Sequence, residues 1–351
     1  MSIVFCMAAW TGKLGQDERQ ETKNESPGVM DHHGSDRNIG EAECPRRTMT
    51  PHDDAALAKV KGLLRERMKR AVLPLAERRI MMDRNSDVFP LPAGVVARTA
   101  DLGGLRAEWT LPEKHRTGPV LIYFHGGGYV QGSSLSHRHV TGRLALETGA
   151  RVLSVDYALA PEHVFPAAVQ DGLASYEWLL RQGVGAHEIC LAGDSAGGGL
   201  AVATLIAARD KGLALPAGAA LLCPWTDLTC DTPSYKSRAD VDPMTSEAGL
   251  KAMAEIYLAG ADPRDPLASP NFADLKGLPP LYIQVGNDEV LLDDARHLAA
   301  RAREHGVEVR LDIYEHMFHV WQAFYQMLPQ GEEALVRISA HLLAHWQRAV
   351  P

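Results

Sequence analysis

Short apolar runs alternate with amphipathic stretches along most of the chain. The runs that predict buried strands cover residues 120–124, 151–155, 189–192, 217–222, 281–285 and 307–314. Apolar positions at helical spacing predict helices over about 136–148, 166–182, 200–209, 292–305 and 332–348. This alternation predicts an α/β fold, with a mostly parallel sheet, helices on both faces and ligand sites at the carboxyl ends of the strands.

The region before this alternation predicts an antiparallel edge and two helices. Residues 95–100 and 106–111 alternate apolar and polar side chains, and Gly103 and Gly104 lie between them, as in a hairpin. With the runs above, the sheet has about eight strands. Apolar positions between Asp53 and Arg79 recur at helical spacing, and Pro74 divides them into two helices.

One long segment interrupts the alternation. Residues 224–279 contain a single helical pattern, at about 247–258, and many Pro and Asp residues. So long an insertion after a core strand is typical of a functional element. We therefore expect a small helical cap, formed by about 50–90 and about 226–272, within one domain that covers residues 49–351.

Residues 1–48 differ in composition from the rest of the chain. After an apolar stretch at 3–10, they are rich in charged and small polar residues and have no periodic apolar pattern, which predicts a flexible extension. The apolar stretch has no preceding Lys or Arg and no small-residue cleavage site after it. We expect a cytoplasmic protein, although this stretch leaves export open.

Composition and charge exclude several partners. The net charge of -8 gives no basic surface for nucleic acid or anionic lipid. No apolar run reaches the roughly 18–20 residues of a membrane span, so we expect no stable membrane association. The five cysteines are an odd number without C-x-x-C spacing. Cys190 and Cys223 lie in or beside core strands, which predicts buried thiols in a reducing compartment.

The strongest chemical signal is the pentapeptide Gly193-Asp-Ser-Ala-Gly197, a match to G-x-S-x-G between a predicted strand and a predicted helix. Small residues two positions either side of Ser195 allow the chain to turn sharply and to expose the serine hydroxyl above the sheet. The helix that follows points its amino terminus toward the same place, where negative charge would develop. The pattern predicts a nucleophilic serine.

A serine nucleophile also needs a base, an acid and oxyanion donors. His125-Gly-Gly-Gly128 directly follows a strand, and its glycines allow backbone amides to approach a substrate oxygen. We expect His125 to hold this loop rather than to act as the base. In this fold the base follows the last strand, where the segment 315–319 offers His316 and His319.

Several motifs in one order resemble the hormone-sensitive-lipase-like family of α/β-hydrolase esterases. They are His125-Gly-Gly-Gly128, Asp156-Tyr-Ala-Leu-Ala-Pro-Glu-His163, Gly193-Asp-Ser-Ala-Gly197 and Pro224-Trp-Thr-Asp227. The resemblance covers about residue 50 to the end. It implies the α/β-hydrolase fold and hydrolysis of short-acyl esters by an acyl-enzyme route without a metal or an organic cofactor. Lactone hydrolysis, aryl-amide hydrolysis and a non-catalytic small-molecule receptor are the alternatives, and a homodimer is left open.

The resemblance also assigns roles to individual residues. The family ending, Met-x-His followed by a small and an aromatic residue, selects His319 over His316. The family's oxyanion donors correspond to the amides of Gly127, Gly128 and Ala196. The acid departs from the pattern: an ungapped register from Leu278-Pro-Pro280 sets Glu289 where the family has Asp. We rank Glu289 first and Asp288 a close second.

Overall fold

The computed structural model describes residues 50–68, 73–114 and 118–348. The predicted flexible extension, residues 1–48, therefore lies outside the described residues, and so do Cys6 and Cys44. Within the described residues, Cys190, Cys223 and Cys230 are buried free thiols.

Eight strands of the described residues form one sheet, in the order β1-β2-β4-β3-β5-β6-β7-β8. Their bounds are β1 Val95–Asp101, β2 Arg106–Pro112, β3 Val120–Phe124, β4 Arg151–Val155, β5 Ile189–Asp194, β6 Gly218–Leu222, β7 Leu281–Gly286 and β8 Val309–Tyr314. β1 pairs with β2 and β2 with β4 in antiparallel fashion, and every other pair is parallel. The predicted mostly parallel sheet with a hairpin at its edge is confirmed.

Helices cover both faces of the sheet. Their bounds are α1 Pro51–Met68, α2 Leu75–Asp83, α3 Asn85–Val88, α4 Arg138–Thr148, α5 Ala167–Arg181, α6 Ala196–Asp210, α7 Ser234–Ser237, α8 Glu247–Leu258, α9 Leu292–Glu304 and α10 Pro329–Arg348. α4 and α10 pack with Leu121 and Tyr123 on one face, whereas α5, α6 and α9 pack with Ile122 and Phe124 on the other. In the described part of the chain, no helix has both the length and the apolar character needed to cross a bilayer.

The helix after Ser195 begins earlier than the sequence predicts. The sequence predicts a helix over 200–209. It starts at Ala196 and includes the glycines. A Cβ at Gly197 would lie 2.0 Å from the carbonyl oxygen of Phe124, and one at Gly199 would lie 2.2 Å from that of Trp225. The glycines therefore allow close packing of this helix against the end of β3 and the loop after β6.

Both predicted cap segments contact loops at the carboxyl ends of the strands. Leu57, Val60 and Leu64 of α1 pack in one cluster with Phe318, and Met244 of the second segment packs against the same cluster. α8, in the second segment, lies against the glycine loop after β3: a Cβ added to Gly128 would lie 2.2 Å from Sδ of Met253. These contacts are what a cap would make, and its assignment remains a prediction.

Candidate active site

Ser195 lies at a strained turn between β5 and α6. Its backbone has φ 55° and ψ -121°, a conformation that residues other than glycine rarely adopt. Two backbone hydrogen bonds hold the turn, since its amide donates to Leu222 and its carbonyl accepts from Trp225, each at 2.9 Å. A Cβ at Gly193 would lie 2.4 Å from the carbonyl oxygen of Gly197. Gly193 is therefore needed for the turn to close.

His319 follows β8 and reaches the serine. Its Nε2 lies 2.9 Å from Oγ of Ser195, and both residues are buried. Burial alone would lower the pKa of His319, but the hydrogen bond and the charge of Glu289 outweigh it and raise that pKa. His316, the other candidate, is exposed. The structure therefore brings only one of the two candidate bases to Ser195.

Glu289 lies on the far side of the His319 ring. Its Oε1 is 3.5 Å from Nδ1 of His319, its Oε2 accepts the amide hydrogen of Gly286 at 3.1 Å, and its side chain is fully buried. Asp288 has a different partner, since its Oδ2 lies 2.7 Å from Nζ of Lys61 on α1. Glu289, which the sequence ranks first, thus contacts the histidine. Asp288, which it ranks second, makes an ion pair with Lys61 of a predicted cap helix.

Cys223 completes the surroundings of the carboxylate. Its sulfur accepts the amide hydrogen of Val320 at 3.2 Å. Burial and the nearby charge of Glu289 raise the pKa of the Cys223 thiol well above its ordinary value. The ligand atoms of Cys223, Glu289 and His319 lie within 4.8 Å of one another. A metal ion held by these three residues would bind the imidazole nitrogen of His319 that faces Glu289. The expectation that the reaction needs no metal stays a prediction.

The glycine loop after β3 lies beside the nucleophile turn. Gly127 and Gly128 have φ of 126° and 64°, and a Cβ at Gly127 would lie 2.1 Å from the carbonyl oxygen of Gln131. Ala196 is the first residue of α6, and its amide belongs to the unsatisfied first turn of that helix. Within the described residues, the three amides make no hydrogen bond to a protein acceptor. They are available to a substrate oxygen.

His125 serves the loop and not the proton transfer. Its Nδ1 lies 2.9 Å from the carbonyl oxygen of Gly126, and its ring stacks on Tyr157 at 4.3 Å between centroids. Burial, followed by the charge of His137, lowers the pKa of His125 to about 4. The ring is neutral at physiological pH, in keeping with the structural role expected for it.

Sequence reasoning missed one residue of the site, Asp194. It occupies the variable position directly before Ser195, and its Oδ1 accepts hydrogen bonds from the Tyr123 hydroxyl at 2.7 Å and the Gly126 amide at 3.0 Å. The available signal was a charged residue at the end of an apolar strand, where a buried carboxylate requires partners. Those partners lie on β3 and its loop and are distant in the sequence.

A serine paired with a histidine, a buried carboxylate behind the histidine and free amides beside the serine define a serine hydrolase. The chain order of Ser195, Glu289 and His319 is that of the α/β-hydrolase class. The geometry and the topology therefore agree on the class of protein.

Comparisons with known proteins identify the family. A family model described as alpha/beta hydrolase fold matches residues 121–323. An acetyl-hydrolase of Streptomyces hygroscopicus is 47% identical over 76% of this chain and 88% of its own. The structure of the esterase EstE5 superposes with a TM-score of 0.80 at 44% identity, over 85% of this chain and 100% of its own. The structure of an esterase from the bacterial hormone-sensitive lipase family superposes with a TM-score of 0.81 at 41% identity. The match covers 85% of this chain and 99% of that esterase. The chain belongs to the hormone-sensitive-lipase-like family of α/β-hydrolase esterases and is a carboxylic ester hydrolase.

Proposed function

We propose that this carboxylesterase hydrolyses short-acyl esters through a covalent acyl-enzyme on Ser195. The observation that carries the proposal is the 2.9 Å contact between Ser195 Oγ and His319 Nε2. A hydroxyl in contact with a neutral imidazole has an acceptor for its proton at the moment it attacks a carbonyl carbon. The same contact disfavours the receptor alternative, because a receptor that only binds has no use for the base.

The reaction proceeds by double displacement. Ser195 Oγ attacks the ester carbonyl carbon while its proton passes to His319 Nε2, and Glu289 stabilises the imidazolium that forms. The amides of Gly127, Gly128 and Ala196 stabilise the tetrahedral oxyanion, and loss of one such donor typically costs about 3 kcal/mol. His319 then protonates the departing alcohol. Water, deprotonated by the same imidazole, attacks the acyl-enzyme and releases the acid and Ser195.

The preference for short acyl groups rests on the space above the glycine loop. α8 covers this loop so closely that Met253 Sδ would lie 2.2 Å from a Cβ on Gly128. With the acyl group placed beside the glycine loop, a long chain would meet this side chain sooner than an acetyl or butyryl group would. Two similar proteins lend support: one is named an acetyl-hydrolase, and crystals of EstE5 were soaked with p-nitrophenyl butyrate.

A series of p-nitrophenyl esters with increasing acyl length tests this function. We expect the highest kcat/KM on acetyl to butyryl esters and a decline with longer chains. A panel of lactones and aryl acetamides, at matched concentrations, tests the other bonds that the same three residues could cleave. Highest kcat/KM on long-chain emulsified esters would refute the short-acyl proposal, and saturable binding without turnover would favour the receptor.

A further inference from the structure

We propose that His137 and Asp194 form a buried ion pair that positions the oxyanion loop, and that turnover requires His137 to carry its proton. His137 is thus a positioning residue, and its loss of a proton sets the alkaline limit of activity. The inference rests on the proposed function, because it concerns the loop that would bind the oxyanion. It adds a second histidine to the pH dependence of turnover. His319 must be neutral for activity, whereas His137 must be protonated.

Asp194 joins the nucleophile turn to the glycine loop. Its Oδ1 accepts from the Tyr123 hydroxyl and the Gly126 amide, and its Oδ2 lies 3.4 Å from Nε2 of His137. A Cβ on Gly126 would lie 2.1 Å from that Oδ2, so the loop backbone lies directly against the carboxylate. Because Gly127 follows Gly126, this carboxylate holds the start of the segment whose amides would bind the oxyanion.

Both ring nitrogens of His137 face acceptors. Nε2 faces the Asp194 carboxylate, while Nδ1 lies 2.9 Å from Ser136 Oγ and 3.4 Å from the carbonyl oxygen of Ser133. When the Ser136 hydroxyl donates its proton to that Ser133 carbonyl, its oxygen accepts from the Ser133 amide and from the ring. A ring that donates from both nitrogens is an imidazolium. The contacts therefore favour the charged form of His137.

The surrounding charges agree with this assignment. The titratable groups around His137 are Asp194 on β5, Tyr123 on β3, His125 on the loop after β3, Asp83 at the end of α2 and His139 on α4. Burial alone would lower the pKa of His137, but the charge and hydrogen bond of Asp194 raise it. Burial alone would raise the pKa of Asp194, but the charge and hydrogen bond of His137 lower it. Each partner therefore favours the ionised form of the other.

Loss of the His137 proton leaves the Asp194 carboxylate buried without a counter-charge. A buried unpaired charge is strongly unfavourable, so water or a rearranged loop has to replace the missing partner. Either change moves the Gly126 amide and, with it, the oxyanion donors. Because those donors act mainly in the transition state, kcat should fall while KM changes little.

The pH dependence of kcat in His137→Asn and His139→Asn tests the inference. His139 is a matched control, since it is also buried and lies two residues further on, in the first turn of α4, to which His137 is the N-cap. Burial, with the charge of His137, lowers the pKa of His139 to about 4. We expect the wild type and His139→Asn to lose activity at alkaline pH. His137→Asn should lose that alkaline limb and, at neutral pH, should lose about 10- to 100-fold in kcat, the scale of a small misplacement of catalytic groups.

Asp194→Asn provides a second variant, because an amide oxygen can still accept from Tyr123 and Gly126 while the charge is removed. It should also lack the alkaline limb. Thermal unfolding across the same pH range separates loss of activity from loss of fold. An alkaline limb that persists unchanged in folded His137→Asn or Asp194→Asn overturns the inference, as does a wild type without such a limb. Either result leaves ester turnover by the wild type intact, whereas absent turnover in the wild type refutes the proposed function itself.

Discussion

Glu289 and Asp288 are neighbours in the chain, yet their carboxylates meet different elements. Glu289 is fully buried against His319, and Asp288 pairs with Lys61 of α1. A shift of one residue in the loop after β7 would exchange the two roles. The motif register ranks Glu289 first for the role of the acid, and Glu289 is the one of the two that contacts the histidine. The ion pair of Asp288 joins residues 227 positions apart and has no local signal.

Replacement of each carboxylate by its amide should separate the two roles. Glu289→Gln should lower kcat by about 10²- to 10⁴-fold, because the imidazolium of His319 loses its charge partner; the upper figure is that of the comparable change in a serine protease. Asp288→Asn should retain most of the turnover. Steady-state kinetics on p-nitrophenyl butyrate measures both. If Asp288→Asn loses most of its kcat while Glu289→Gln keeps it, Asp288 is the acid that stabilises the imidazolium.

The acid limb of the pH profile should report His319. Its imidazole must be neutral to accept the serine proton, so kcat/KM falls as pH decreases through its raised pKa. Glu289→Gln removes the charge that raises this pKa, so the acid limb should move to lower pH, with Asp288→Asn as the control. A limb that stays in place in Glu289→Gln would show that another group titrates there.

At the scale of elements, both predicted cap segments contact the loop that carries Glu289. Asp242 Oδ2 accepts the Val290 amide hydrogen at 2.9 Å, and Ser234 Oγ donates to the Val290 carbonyl at 2.6 Å. Lys61 of α1 holds Asp288 on the same loop. The position of Glu289 therefore depends on segments that are remote in sequence. The strand-helix alternation predicts the sheet, but it contains no information about these attachments.

Met253 of α8 should limit the acyl length that the site accepts. Met253→Ala removes the side chain nearest to Gly128, so the kcat/KM optimum should move toward longer p-nitrophenyl esters. Glu255→Ala, an exposed position on the same helix, is the control and should keep the wild-type optimum. An unchanged optimum in Met253→Ala would show that another part of the protein sets the acyl limit.

At the scale of the whole molecule, apolar periodicity was sufficient for the sheet, its edge hairpin and the helices on both faces. The physical reason is that strands buried on both faces are continuous apolar runs and helices packed on one face have a 3.6-residue period. The predicted start of α6 is wrong: the helix begins at Ala196 and not near Leu200. Gly197 and Gly199 lie inside the helix because of contacts with distant backbone, and such contacts leave no local signal. The sequence did not predict the buried pair of Asp194 and His137 for the same reason, because it is a contact between different elements.

The amino-terminal extension should be dispensable. The similar esterase structures match 85% of this chain while nearly all or all of their own length is covered, so their fold is completed within that part. A variant that begins at Met49 should keep the wild-type thermal unfolding midpoint and most of the kcat/KM. A truncated protein that fails to fold, or that loses most of its turnover, would give residues 1–48 a structural role.

The central claim is that Ser195 is the covalent nucleophile. A fluorophosphonate probe forms a stable bond with an activated serine, so mass spectrometry of the labelled protein identifies the residue directly. The wild type should carry one probe molecule on the peptide that contains Ser195, and Ser195→Ala should stay unlabelled and inactive on p-nitrophenyl acetate. Labelling of Ser195→Ala at another residue, with turnover retained, would contradict the assignment.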